Sequence, residues 1–171
     1  MTRIRQLHTP ESSSLGDLCH LLQDAVKGGA SVGFLAPLSE DTAVCYWHRV
    51  FGQLSDGHCL WVAESDGQII GSVQLELCAK ENGRHRAEVQ KLLVHSAFRG
   101  CGVSTLLMRA AEECARAEGR TLLVLDTQAG SVAEAVYRHL GWRPAGQIPD
   151  YATTPNGVLH ATVYLYKQLA A

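Results

Sequence analysis

The sequence holds 6 cysteines and 8 histidines, yet it has no C-x-x-C pair and no H-x-x-x-H pair. Cys19, Cys45, Cys59, Cys78, Cys101 and Cys114 stand singly, which removes support from zinc-site and redox-motif readings, and no metal site is assigned. Lone cysteines in a reducing compartment act as small apolar fillers, and Cys19 and Cys114 fall on apolar helical faces as fillers do. No apolar run approaches the roughly 20 residues of a membrane helix. The start, Met1-Thr2-Arg3-Ile4-Arg5, has no apolar signal core behind it, so a cytoplasmic protein without a membrane partner is expected. A formal charge of -2 gives no general pull toward nucleic acid. Repeats, low-complexity stretches and long linkers are absent, so residues 1–171 read as one domain large enough to bury a core without cross-links.

The apolar pattern that is present alternates between helical and strand periods. Thr2 to Gln6 reads as a short strand. Leu15, Leu18, Cys19, Leu22 and Val26 then recur at helical spacing behind the cap candidates Ser12 to Ser14, and Lys27-Gly28-Gly29 ends that helix. A second helix is predicted from a Ser39 cap through Val44, Trp47, Phe51 and Leu54. Cys59 to Ala63 and Gln68 to Leu77 read as strands joined across Asp66-Gly67, the strongest hairpin signal in the chain. Ala87 to Val94 is a fourth strand whose alternation breaks near Lys91, as a bulge would cause. Val103 to Ala117 is an amphipathic helix closed by Gly119. Leu122 to Leu125, ending in Asp126, suits a parallel strand covered on both faces. A helix from Ser131 to Leu140 and strands over 143–151 and 160–167 complete a mixed α/β sheet that is not doubly wound.

The segment Leu92-Leu93-Val94-His95-Ser96-Ala97-Phe98-Arg99-Gly100-Cys101-Gly102-Val103-Ser104 is a strand, a glycine loop and a helix start in succession. Such a loop favours an anion, because glycines admit close backbone approach and unpaired amides at the helix start point N–H groups at the bound charge. Arg99 adds a positive charge. Neither G-K-[ST] nor G-x-G-x-x-G is complete here.

Val94 to Ser104 resembles the acetyl-CoA signature of the GNAT superfamily, R/Q-x-x-G-x-G/A. Arg99 and Gly102 match it; Ser104 stands where glycine or alanine is usual, and Cys101 where a basic residue often lies. The resemblance implies a GNAT-type acyl-CoA N-acyltransferase fold with a splayed central sheet flanked by helices. It also implies acetyl-CoA as donor, with Gly100, Cys101, Gly102, Val103, Ser104 and Thr105 holding the pyrophosphate and the Leu92-Leu93-Val94 strand meeting the pantetheine arm. Ala87-Glu88-Val89-Gln90-Lys91-Leu92, Gly28 to Phe34 and Leu125 to Ala135 together look similar to the tabtoxin-resistance acetyltransferases. That likeness implies an amino-acid-like or antibiotic- or toxin-like amine as acceptor, and a homodimer. A protein or peptide acceptor and a non-catalytic acyl-CoA-binding module are the alternatives.

Forming an amide from a thioester requires a neutral amine, a stabilised oxyanion and a proton for the departing thiolate. In similar enzymes the general-acid tyrosine occupies the helical position of Tyr137, whose bland reading is a core tyrosine. Glu88 and Asp126 are acids inside apolar runs, where desolvation raises a carboxyl toward a useful base. Their bland readings are a salt bridge to Lys91 or Arg86 for Glu88 and a capping or turn role for Asp126. The Val94 amide is the simplest oxyanion donor. Gly29, Ser31 and Phe34 lie in a loop suited to a wall over the acceptor. Trp142, Tyr151 and His160 receive no catalytic role. Cys101, at the pyrophosphate end of the donor, is misplaced as a nucleophile, so direct transfer is expected.

Overall fold

The computed structural model describes residues 1–55 and 57–170. Local chemistry sets most element ends. Ser39 accepts a hydrogen bond from the Thr42 N–H, and Glu40 and Asp41 occupy the first turn, so α2 runs Glu40–Gln53 as predicted. Helix α1, Ser12–Lys27, starts differently: its N-cap is Glu11, which makes no side-chain cap. Ser14 instead donates to the Glu11 carboxylate, which also receives Arg5 of β1, Arg3–Leu7. Asp66 and Gly67 both adopt positive φ, 51° and 81°, making the tight turn between β2, His58–Ser65, and β3, Gln68–Leu77.

The remaining elements are β4, Arg86–Val94; α3, Val103–Ala117; β5, Leu122–Gln128; α4, Val132–His139; β6, Arg143–Thr153; and β7, Leu159–Gln168. They form a seven-stranded mixed sheet in the order β1-β2-β3-β4-β5-β7-β6. Among the described residues only β4 and β5 pair in parallel. One core lies between α3 and the sheet, built on Trp61, Leu75, Val89, Leu107, Met108 and Leu123; the other packs α1 and α2 on the opposite face through Leu18, Leu22, Trp47, Leu60 and Val62. The indole of Trp47 ties the two helices by donating to the Leu18 carbonyl. No helix among the described residues is long and apolar enough to cross a membrane.

Gly71 brings α3 onto the sheet. A Cβ there would stand 3.0 Å from both Leu107 Cδ1 and the Leu93 carbonyl and 3.1 Å from Val103 Cγ1, so only the bare backbone lets the first turns of α3 lie against β3. At the other end, buried Glu112 receives Lys167 Nζ of β7 at 2.7 Å, and that ammonium also donates to the Leu140 carbonyl at 2.8 Å. Removing one partner of a buried ion pair leaves the other unpaired, but Lys167 keeps some solvent and one carbonyl. Glu112→Gln is therefore expected to cost about 2 kcal/mol and lower Tm by about 4–8 °C, measured by thermal denaturation.

The fifth strand departs from expectation. It is parallel to β4 over its first residues alone and antiparallel to β7 throughout. Leu123 and Leu125 are buried on one side, but Asp126, on the other, is exposed. The α1/α2 layer thus stops short of β5 on that face.

Candidate active site

Strands β4 and β5 pair only through Arg86↔Leu122, Ala87↔Leu123 and Glu88↔Val124. Beyond that point β4 stays with β3 as far as Val94, while β5 follows β7 to Gln128. A wedge opens between them. The break in the pattern of β4 is the predicted bulge: Gln90 faces Gln74 and Leu93 faces Ser72, so Lys91 and Leu92 both stand opposite Val73, with Lys91 at φ 49°.

The far end of β4 supplies main-chain groups to this wedge. The His95 N–H donates to the Ile70 carbonyl at 2.9 Å, one step beyond the Gly71↔Val94 pair. Antiparallel alternation therefore turns the N–H and C=O of Val94 away from β3 and toward the gap. Leu93, proposed from sequence as a donor-site residue, faces the other way: its side chain is buried among α1 and α2 residues and its backbone pairs with Ser72. Its contribution is to hold the strand.

After a 3₁₀ turn at Ser96–Phe98 the chain reaches Gly100 and Gly102, at φ 76° and 78°, each with open space where a Cβ would be. Gly102 is the N-cap of α3 and offers no side-chain cap. Among the described residues, no main-chain amide from 100 to 105 donates to a protein acceptor, and the first to do so is Leu106, to the Gly102 carbonyl. A run of orphan donors at a helix start is what a diphosphate needs. The residues present therefore fit the diphosphate of acetyl-CoA.

Within the same loop, Val103 is buried in the α3 core, Ser104 and Thr105 are half-buried, and the exposed Cys101 thiol lies 3.7 Å from the Arg99 carbonyl. Arg99 folds back, with Nε donating to the Val94 carbonyl at 3.4 Å and a terminal nitrogen 3.3 Å from where a Gly28 Cβ would stand. Asp24 of α1 clamps the loop by accepting from the Ser96 amide and hydroxyl at 2.8 and 2.7 Å. Burial alone would push the Asp24 carboxyl up, but the Ser96 hydrogen bonds and the nearby His95 and Arg99 outweigh it and hold the carboxyl below its ordinary value.

Register sets the acidic end. Glu76 lies opposite Glu88, and Glu88 opposite Val124, so these three share a face. Two residues on, Gln74, Gln90, the gap, Asp126 and Tyr164 form the next row of that face. Burial pushes the Glu88 carboxyl up from its ordinary value; Gln90 offsets part of this, and the charges of Glu76 and Asp126 add to it. Asp126 also acts on Lys91, Tyr137 and Tyr164, which sets it among all of them. The desolvated acid expected from sequence is thus Glu88 and not the exposed Asp126. Among the described residues neither acid makes an ion pair within 4.0 Å, and Asp126 lies inside β5 with no capping role. Tyr137 comes from α4 on the opposite face, buried with its ring centroid 6.0 Å from that of Trp142. Burial, then the charge of Asp126, push its phenol well above the ordinary range.

The loop from Gly28 to Phe34 splits in role. Gly29 closes the last turn of α1, donating to the Val26 carbonyl. Ser31 is pinned to the β6–β7 hairpin through the Thr153 carbonyl at 3.4 Å and His160 Nε2 at 3.1 Å. The Phe34 ring meets Tyr46 edge-on. Beside Tyr46 is a cleft of 460 Å³ lined by residues including Tyr46, Arg49, His58, Gln74, Glu76, Gln90 and Lys91. Gln74 donates to the Tyr46 hydroxyl at 2.9 Å, and its carbonyl oxygen lies 3.1 Å from His58 Nε2. Sequence reasoning passed over these residues. The signal was available: Tyr46, Arg49, Val50 and Gln53 fall at i, i+3, i+4, i+7 on α2, a helical stripe that is only half apolar.

A mixed sheet wedged open beside orphan amides, with the desolvated Glu88 on one side of the wedge and Asp126 on the other, defines the class of acyl-CoA-dependent N-acyltransferases. Residues 56–144 match the model of the acetyltransferase (GNAT) domain. An uncharacterized N-acetyltransferase from the hisH-hisA intergenic region of Azospirillum brasilense is 34% identical over 73% of this chain and 74% of its own. N-acetylaspartate synthetase of Danio rerio is 34% identical over 56% of this chain, which spans only 33% of that protein. The fold matches a putative acetyltransferase from Salmonella typhimurium solved with acetyl-CoA, at 20% identity and a TM-score of 0.78 over 100% of this chain and 95% of that one. The chain belongs to the GNAT acetyltransferase family. It is an N-acetyltransferase with acetyl-CoA as its donor.

Proposed function

We propose that this enzyme passes the acetyl group directly to the amine of a small amino-acid-like or toxin-like molecule. Bound acetyl-CoA supplies an acyl carbon activated as a thioester. The amides of residues 100–105 hold the diphosphate, and the Val94 N–H, turned into the wedge, donates to the acyl oxygen. Glu88 and Asp126 take the proton from the acceptor amine, and Tyr137 returns one to the leaving sulfur. The observation that carries this reading is the placement of the free Val94 amide between the orphan amides of the loop and the Glu88–Asp126 pair. A relative named for aspartate acetylation supports an amino-acid-like acceptor, and the likeness to tabtoxin-resistance acetyltransferases supports toxin-like amines. The reading extends to a cytoplasmic homodimer, for which the exposed edge strand β6 offers an unpaired ladder.

The test combines calorimetry with acetyl-CoA and a thiol-release assay over free amino acids, toxin-like amines and peptides. Binding with turnover of small amines is expected. Gly102→Val forces a β-branched residue into a left-handed backbone and disturbs the amide run, so acetyl-CoA affinity is expected to fall at least about tenfold. Turnover of peptides alone would overturn the acceptor class, and tight binding without turnover would leave a non-catalytic binder.

A further inference from the structure

Two cations at the cleft make no ion pair among the described residues. Lys91 is held at the bulge in a left-handed conformation, with Nζ 3.9 Å from where a Gly33 Cβ would stand. It is half-buried and feels Asp126, Glu88 and Arg49, yet no carboxylate oxygen lies within 4.0 Å of Nζ among the described residues. Arg49, from α2, lines the same cleft with its guanidinium carbon 5.8 Å from the Tyr46 ring centroid, and it too makes no ion pair among the described residues. An ammonium drawn out of water is costly unless an anion meets it. Of the acids nearby, Glu76 lines the cleft and accepts from Gln90, while Glu88 and Asp126 must stay free to accept a proton; among the described residues Lys91 makes an ion pair with none of the three.

The geometry points to an anion subsite in which Lys91 and Arg49 bind the free carboxylate of a zwitterionic acceptor, presenting its amine to Glu88 and Asp126. This deepens the acetyl-transfer reading and rests on it. A charge-assisted contact to the acceptor carboxylate satisfies both cations at once and leaves the proton-accepting carboxylates unpaired. The volume of 460 Å³ suits a small amino acid, and the chain of Tyr46, Gln74 and His58 along its floor offers neutral hydrogen bonds to a side chain.

The test is a ratio: kcat/KM by thiol release, at saturating acetyl-CoA, for free amino acids against their α-carboxamides. Because the intrinsic reactivity of each amine is common to every variant, the change in ratio reports the carboxylate contact alone. Arg49→Met and Lys91→Met are each expected to lower the acid-to-amide ratio at least about tenfold, chiefly through KM, and Lys91→Arg to retain it. Arg49 is exposed on its helix, so its variant folds even if Lys91→Met does not. A ratio unchanged in Arg49→Met, with turnover intact, would overturn the subsite and leave the two cations as balance for Glu76, Glu88 and Asp126. Absence of thiol release with every amine is a different failure: it would overturn the transfer reading and the subsite with it.

Discussion

Tyr137→Phe is expected to lower kcat about a hundredfold while leaving the Kd for acetyl-CoA within about twofold, which separates loss of a proton donor from loss of binding. The substitution removes one oxygen and keeps the ring, so its packing near Trp142 survives and a folding defect is not expected. Burial and the neighbouring Asp126 hold the phenol protonated well beyond neutral pH. The donor is therefore loaded at every working pH, and the alkaline limb of the kcat profile should show no fall from this group below about pH 10. Single-turnover rates with calorimetry in parallel decide the matter. A proportional loss of acetyl-CoA affinity would make Tyr137 a packing residue.

Glu88→Gln should produce a comparable loss, about a hundredfold in kcat/KM, together with a changed pH profile. The acceptor amine must be neutral, so log kcat/KM rises by about one per pH unit below the amine pKa whatever the enzyme does. In the native chain a second proton must also leave Glu88, whose carboxyl lies above its ordinary value because of burial and the adjacent Glu76 and Asp126. Below that raised pKa the slope should approach about two, and the Gln variant should keep a slope of about one throughout. An unchanged profile in the variant would remove Glu88 from the proton path. Asp126, exposed across the gap, is then the remaining acid.

Elements with local causes were legible in the sequence. The Ser39 cap, the Asp66-Gly67 turn, the amphipathic α3 and the glycine loop each depend on residues within a few positions of one another. The bulge at Lys91 was legible as a break in alternation, because period-two patterning fails where one strand carries an extra residue. What the bulge does was not: Lys91 reaches Arg49 and Gly33, both more than forty positions away in the chain. The same limit explains Asp126. Beside an apolar run it reads as buried, but burial depends on whether a helix covers that face, and α1 and α2 cover β2 to β4 instead. Leu93 went astray by one step of alternation, since register decides which strand residues face the gap.

Read alone, the amino-acid order pointed to a mixed α/β sheet and to a glycine loop at a helix start, because these follow from spacing along the chain, and the family resemblance offered the two acids and the tyrosine as candidates. Tertiary structure decided which acid is desolvated, which amides remain unpaired, and that Arg49 and Lys91 line one cleft. Burial, strand register and the coverage of a sheet face arise only when distant segments meet, and they set the energies of charged groups that no local pattern encodes.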